Sequence, residues 1–287
     1  MSDQLGASEN NPGDNLPKED NSPHPTNHKS HMKSIWPHKP TPYICACIIW
    51  LIISYSPFFL FTSETILRLT KEDCFFENSG AIFLFLSSIA FFYLSFREKQ
   101  MPQIPRLNVK YNIFFLFLGL LFFFGAGEEI SWGQRIFNFK TPDIMASNVQ
   151  HEFTIHNLPL FNAGELKNNG TNTMEVVPKK GYFKRAISIN ALFSSFCHYY
   201  LFIIAVLYFI GEKIRCWMDK IHFPAPPIWI GIIYWINAKL DTILQSYTPH
   251  QLLFPLSEIY EASVPFIFLI LAIWFIFNFK VTIQHLS

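Results

Sequence analysis

Two adjacent carboxylates, Glu128 and Glu129, directly follow an apolar run and are the strongest candidates for chemistry in the chain. If the helix continues beyond them, one face carries an acid, a hydroxyl, an indole and a guanidinium, from Glu128, Ser131, Trp132 and Arg135. Glu129 is then offset by about 100° from Glu128. Two acids in different surroundings can divide the roles of proton donor and proton acceptor, so the pattern predicts acid–base chemistry.

Carboxylates at a helix end can also reach interfacial water, and Trp132 with Arg135 can form an ordinary interfacial anchor. A charge left in hydrocarbon costs about 2.5–3.5 kcal/mol on insertion scales and is usually tolerated only where a partner or a water cavity compensates. Small residues nearby would let another helix approach closely, namely Gly125, Ala126, Gly127 and Gly133. We therefore expect the acids at or just inside one membrane boundary.

A second polar stretch, residues 148–158, contains Gln150, Glu152, His156 and Asn157. His151 and His156 are five residues apart, so the HExxH pattern of zinc proteases is not present. Glu152 and His156 are four apart and would share a helix face. This spacing predicts an amphipathic helix on the membrane surface, although such Glu/His pairs are often inert.

Further ionisable residues fall within or beside later apolar stretches. His198 lies deep in the fourth stretch, where it can bind a metal or simply hydrogen-bond across helices. Asp241 lies near the end of the fifth stretch, and Glu258 and Glu261 lie at the start of the sixth. Pro265 is expected to kink the last helix and to open a cavity beneath these acids.

The composition indicates a membrane protein. Of 287 residues, 50% are hydrophobic, 17% aromatic and only 15% charged, against about 25% charged in soluble domains. The formal net charge is +1, so no basic excess exists to bind nucleic acid. The five cysteines show no CxxC pair, which argues against a disulfide framework or a zinc finger.

Apolar runs that approach the roughly 20 residues of a membrane helix predict an all-α, polytopic helix bundle of about six transmembrane helices. The six predicted spans are 43–62, 81–96, 112–127, 186–210, 227–236 and 262–279. The fifth is interrupted by Asn237, Lys239 and Asp241, so five spans and an interfacial helix remain an alternative.

The distribution of Lys and Arg predicts the orientation. Clusters at 29–39, 97–110, 213–220 and 280 share one side, which should be the cytoplasm. Both termini should face the cytoplasm, and the expected location is a bacterial inner membrane. Residues 1–42, rich in Pro, Asn and Ser, should form a disordered cytoplasmic tail. Residues 43–287 form the transmembrane domain, with an extracytoplasmic amphipathic segment at about 138–185.

The stretch 127–135, together with 150–157, resembles a family of bacterial multi-pass membrane proteins over roughly residues 112–160. The resemblance implies that the polar residues of both stretches form one site but gives no reaction; these are Glu128, Glu129, Ser131, Trp132, Gln134, Arg135, Gln150, Glu152, His156 and Asn157. A more distant likeness is to the intramembrane CAAX-type proteases, whose first motif is a Glu-Glu pair followed by Arg. That family leaves three positions between Glu and Arg, whereas five separate Glu129 from Arg135.

These patterns predict an integral-membrane hydrolase that acts on a lipid-linked or membrane-embedded substrate at the outer side of the bilayer. Glu128, Glu129 and Glu152 would supply acid–base groups, and Arg135 would bind an anionic headgroup or an oxyanion. His156 and His198 would bind a divalent metal such as Zn²⁺. The residues expected to bind substrate are Ser131, Trp132, Gln134, Gln150 and Asn157.

A metal-free site is also possible, because burial of two neighbouring acids can leave one of them as a general base. The alternative function is a transporter or lipid-binding scaffold in which the same acids titrate without bond cleavage. The residue pattern does not choose between these, nor does it give the oligomeric state.

Overall fold

A computed structural model describes residues 39–70, 74–96, 109–142, 153–155, 164–168, 174–178, 189–221 and 223–284. Its first helices are α1 Thr41–Tyr55, α2 Pro57–Leu60, α3 Ser63–Leu69, α4 Phe75–Phe96, α5 Val109–Glu129 and α6 Gln134–Phe137. Two strands follow, β1 Gly164–Asn168 and β2 Met174–Pro178. The later helices are α7 Ile189–Cys197, the π-helical segment His198–Ile204, α8 Ala205–Ile210, α9 Glu212–Lys220, α10 Ile228–Tyr247 and α11 Leu253–Gln284.

Among the described residues, four helical segments are long and apolar enough to cross a membrane: Thr41–Leu60, Phe75–Phe96, Ala191–Ile210 and His250–Asn278. The predicted helical, multi-pass class is thereby confirmed at this level. The strands β1 and β2 add an antiparallel pair, with Leu166 opposite Val176. This pair lies within the predicted 138–185 segment and was not expected from the sequence.

The long helix α11 is the centre of the bundle. It packs against α1, α4 and α10, and α4 in turn packs against α5. Many of its apolar residues are buried completely, among them Phe268, Leu271 and Phe275, each 0% exposed. Because α11 is apolar around its whole circumference, it can occupy the interior of a bundle, where every face meets another helix.

Aromatic rings fill the space around α11. The rings of Phe122 and Phe268 lie 4.6 Å apart, and Tyr200 stacks on Phe268 with an interplanar angle of 4°. Near the end of α11, Trp274 meets Tyr43 at 5.2 Å and Trp229 at 5.3 Å. These contacts place the start of α1, the start of α10 and the late part of α11 at one end of the bundle.

Large apolar side chains also cover the outside of the helices. Ile52, Phe59, Phe209 and Ile210 are each more than 60% exposed. A water-soluble protein rarely leaves so much apolar surface uncovered, whereas acyl chains of a bilayer would solvate it.

The third predicted span, 112–127, lies entirely within helix α5, which continues two residues beyond it. Helix α5 stops at Glu129, and Ser131–Gly133 forms a separate 3-10 turn. The helix does not continue through Arg135, so Glu128, Ser131, Trp132 and Arg135 do not share one helix face. The predicted disordered tail lies outside the described residues as far as position 38.

Candidate functional site

The carboxylate of Glu128 holds two parts of the chain together. It is only 5% exposed, and its Oε1 accepts a hydrogen bond of 2.5 Å from the indole Nε1 of Trp132. Its Oε2 accepts a hydrogen bond of 2.7 Å from the backbone N–H of Ile155. Both oxygens thus accept hydrogen bonds from the protein, and these bonds link the end of α5 to Trp132 and to the segment 153–155.

A tight turn after α5 brings Trp132 back over Glu128. Ser131 and Trp132 have φ values of 48° and 51°, and Gly133 has a φ of 80°. Left-handed backbone is costly for residues with a Cβ, so other contacts must stabilise it here. The indole provides them, because it bonds to Glu128 and lies so close to Gly127 that a Cβ there would meet the ring at 2.9 Å.

Gln134 forms the second link between the two polar stretches. Its Oε1 accepts a hydrogen bond of 2.5 Å from the N–H of Phe153, and its Nε2 donates to Thr141 Oγ1 at 2.8 Å. The ring of Phe153 packs edge-on against Phe139 at 5.9 Å. Residues 153–155 are consequently fixed beside the end of α5 by Glu128 and Gln134 together.

Glu129 faces a different environment, a cleft between α4, α5 and α11. Four carboxylates line this acidic cleft, with an apolar floor and walls; its lining residues are Phe76, Glu77, Gly80, Leu84, Glu129, Glu258, Glu261, Ala262 and Pro265. Glu77, Glu258 and Glu261 share this cleft with Glu129. Carboxylates that share such a site stabilise a proton or a cation between them.

The acidic cleft is small and partly open. Its empty volume is about 230 Å³ including the open mouth, and it leaves room for roughly one water-sized particle. Pro265 is one of the residues that line it. Since proline has no backbone N–H, it cannot donate to the Glu261 carbonyl one turn earlier. The space has the size of a water molecule.

The structure separates the predicted site residues. Ser131 is fully buried, and Trp132 and Gln134 make the bonds given above, so these three support the turn rather than line the acidic cleft. Arg135 belongs to the short helix α6. Four predicted residues lie outside the described part of the chain: Gln150, Glu152, His156 and Asn157.

His198 begins the π-helical segment, is exposed, and is not among the residues that line the acidic cleft. Its ring lies 5.7 Å from that of Phe202 and 6.2 Å from that of Tyr234. Within the described residues, no group of three or more His, Cys, Asp and Glu side chains is placed to hold a metal ion. A zinc site with His156 as a ligand stays a prediction.

Glu77 was missed in the sequence because the second span was predicted to begin at Ala81. The helix starts six residues earlier, at Phe75, and carries Glu77 in its first turn. An acid in the first turn of a helix is favoured by the helix dipole, and this was the available signal.

No protein-family model matches the chain, and no match is found among curated proteins or solved structures. The function must therefore be argued from the site itself.

Proposed function

We propose that the chain crosses the membrane about six times. Besides the four candidate segments, α5 has 21 residues and α10 has 20, each about 30 Å of helix and enough to span the hydrocarbon core. The start of α4, the end of α5 and the start of α11 meet at the acidic cleft. The start of α1 instead packs against the late part of α11. These contacts support helices that alternate in direction.

The distribution of Lys and Arg then supports an orientation with both termini in the cytoplasm, most simply in a bacterial inner membrane. In this orientation the acidic cleft opens on the extracytoplasmic side. A proton or substrate would then reach the acidic cleft from the outer leaflet or from the solution beyond it.

The acidic cleft is proposed to bind a proton, with Glu129 as the central carboxylate, and the chain is proposed to act as a transporter coupled to proton movement. The observation that carries this proposal is the convergence of Glu77, Glu129, Glu258 and Glu261 from three helices. Carboxylates within a membrane domain are costly to bury and commonly mark ion or proton pathways. The size of the cleft suits a proton better than a scissile lipid bond.

Flux into vesicles tests this proposal. Purified full-length chain is reconstituted in lipid vesicles, and internal pH is followed after a pH gradient is imposed. Glu129→Gln should slow the flux at least about tenfold, which corresponds to about 1.4 kcal/mol of lost interaction. Glu212→Gln, at an exposed carboxylate of α9, should leave the flux unchanged. Equal flux in the wild type, the Glu129 variant and empty vesicles would refute the transporter.

A hydrolase is the second candidate, because Glu128 and Gln134 fix residues 153–155 beside α5. Glu152 and His156 flank this segment in the sequence. Glu129 would then act as a general base on a water molecule, and the substrate would be a lipid or a lipid-linked molecule. Metal analysis of the purified chain with His156→Ala and His198→Ala tests the metal-dependent form. Bound zinc that both variants lose would support it, and a wild type without metal would remove it.

A further inference from the structure

A second group of polar side chains lies where α1, α10 and α11 meet, away from the acidic cleft. The hydroxyl of Tyr55 donates a hydrogen bond of 2.9 Å to Asn237 Oδ1. Asn237 is 0% exposed, and Tyr55 is 3% exposed. One turn earlier on α10, the Tyr234 hydroxyl accepts a hydrogen bond of 3.2 Å from Tyr260 of α11.

Two atoms of this group are buried without a hydrogen-bond partner among the described residues. They are Nδ2 of Asn237, a donor, and Oδ1 of Asp241, an acceptor. The other oxygen of Asp241, Oδ2, already accepts a hydrogen bond of 2.8 Å from Gln245. Asn237 and Asp241 are four residues apart and therefore lie on the same face of α10. Buried donors and acceptors in proteins nearly always have partners, so this pair calls for one.

We propose that Asn237 and Asp241 bind a hydroxyl group in the interior of the bundle. The hydroxyl oxygen accepts a hydrogen bond from Asn237 Nδ2, and the hydroxyl O–H donates a hydrogen bond to Asp241 Oδ1. A metal cation would satisfy only Asp241, and a carbonyl only Asn237, whereas one hydroxyl satisfies both. Tyr55 is the positioning residue, because its bond to Oδ1 directs Nδ2 away from α1.

The hydroxyl can come from a water molecule or from the headgroup of a lipid that enters between the helices. Both sources present the same chemistry to the two side chains. The inference does not rest on the acidic cleft, since none of its residues lines that cleft, and a failure of ion transport would leave it unchanged.

Solid-state NMR of the full-length chain in lipid nanodiscs tests the proposal. The chain is deuterated at carbon and labelled with ¹⁵N only in asparagine. In the water arm, the sample contains H₂O and deuterated lipid, and magnetisation is transferred from water protons. In the lipid arm, the sample contains D₂O and ordinary lipid, and magnetisation is transferred from the carbon-bound protons of the lipid. The Asn237 side-chain signal is assigned from its disappearance in Asn237→Leu. If that variant does not fold, Asn237→Gln retains the amide but removes the label.

Transfer to Asn237 Nδ2 from water, at a rate comparable with that at exposed Asn78, identifies water as the source. Transfer in the lipid arm without transfer in the water arm places a lipid molecule beside Asn237 and identifies the lipid as the source. In either case Tyr55→Phe should reduce the transfer, because the amide loses the bond that orients it. Absence of transfer to Asn237 in both arms, with the chain folded, would overturn the proposal, since the two atoms would then bond within the protein.

Discussion

Glu128 and Glu129 differ in role because successive helix positions are rotated by about 100°. One carboxylate faces the turn and the segment 153–155, where two donors meet it. The other faces three acids across the cleft. The two adjacent glutamates therefore differ in what they do. Glu128 stabilises the local structure, and Glu129 contributes charge to the acidic cleft.

Replacing each acid by glutamine should separate these roles. In the wild type, both oxygens of Glu128 accept a hydrogen bond from an N–H group. Glu128→Gln replaces one of these oxygens by an NH₂ group, which cannot accept, so one hydrogen bond is lost. We expect a destabilisation of about 1–3 kcal/mol, measured by thermal unfolding of the chain in detergent. Glu129→Gln removes like-charge repulsion and should leave the unfolding temperature unchanged or raised. Equal losses in both variants would contradict the assigned roles.

At the scale of elements, the end of α5 is decided by contacts that the sequence does not display. Gly133 is a recognisable helix-stop signal, and Gly readily adopts its φ of 80°. The left-handed conformations of Ser131 and Trp132, in contrast, depend on the bond between Trp132 and Glu128. Local propensity alone therefore predicted a continuing helix.

Two glycines of α5 allow a matched test of this turn. A Cβ at Gly127 would lie 2.9 Å from the Trp132 ring, whereas one at Gly125 would meet a Leu84 methyl at 3.4 Å. Gly127→Ala should lower the unfolding temperature, because the indole must leave its place over Glu128. Gly125→Ala should not, since alanine is about 1 kcal/mol better than glycine within a helix. A higher unfolding temperature for Gly127→Ala than for Gly125→Ala would contradict the position of the Trp132 indole over Glu128.

Apolar patterning predicted the helical membrane fold well, because runs near 20 residues are conspicuous. The first residue of α4 was harder to predict, because Glu77, Asn78 and Ser79 are polar and yet helical. The acidic cleft could be predicted only in part. Glu129, Glu258 and Glu261 were assigned to one side of the membrane, but their convergence depends on α4 and α11 packing together.

At the scale of the whole molecule, the topology proposed above has the acidic cleft and the two termini on opposite sides of the membrane. Fusions test this arrangement: green fluorescent protein after position 287 should fluoresce, and alkaline phosphatase there should be inactive. Alkaline phosphatase inserted after position 142 should be active. The reverse activities would place the termini outside the cytoplasm and would contradict the proposed orientation.

Proton binding by Glu129 is the central claim, and infrared difference spectroscopy measures it most directly. Full-length chain in nanodiscs is recorded on changing the pH. Carboxyl bands that change in the wild type and in Glu212→Gln, but are lost in Glu129→Gln, are the predicted result. Identical difference spectra for the wild type and Glu129→Gln at every pH would show that this carboxylate does not bind a proton there.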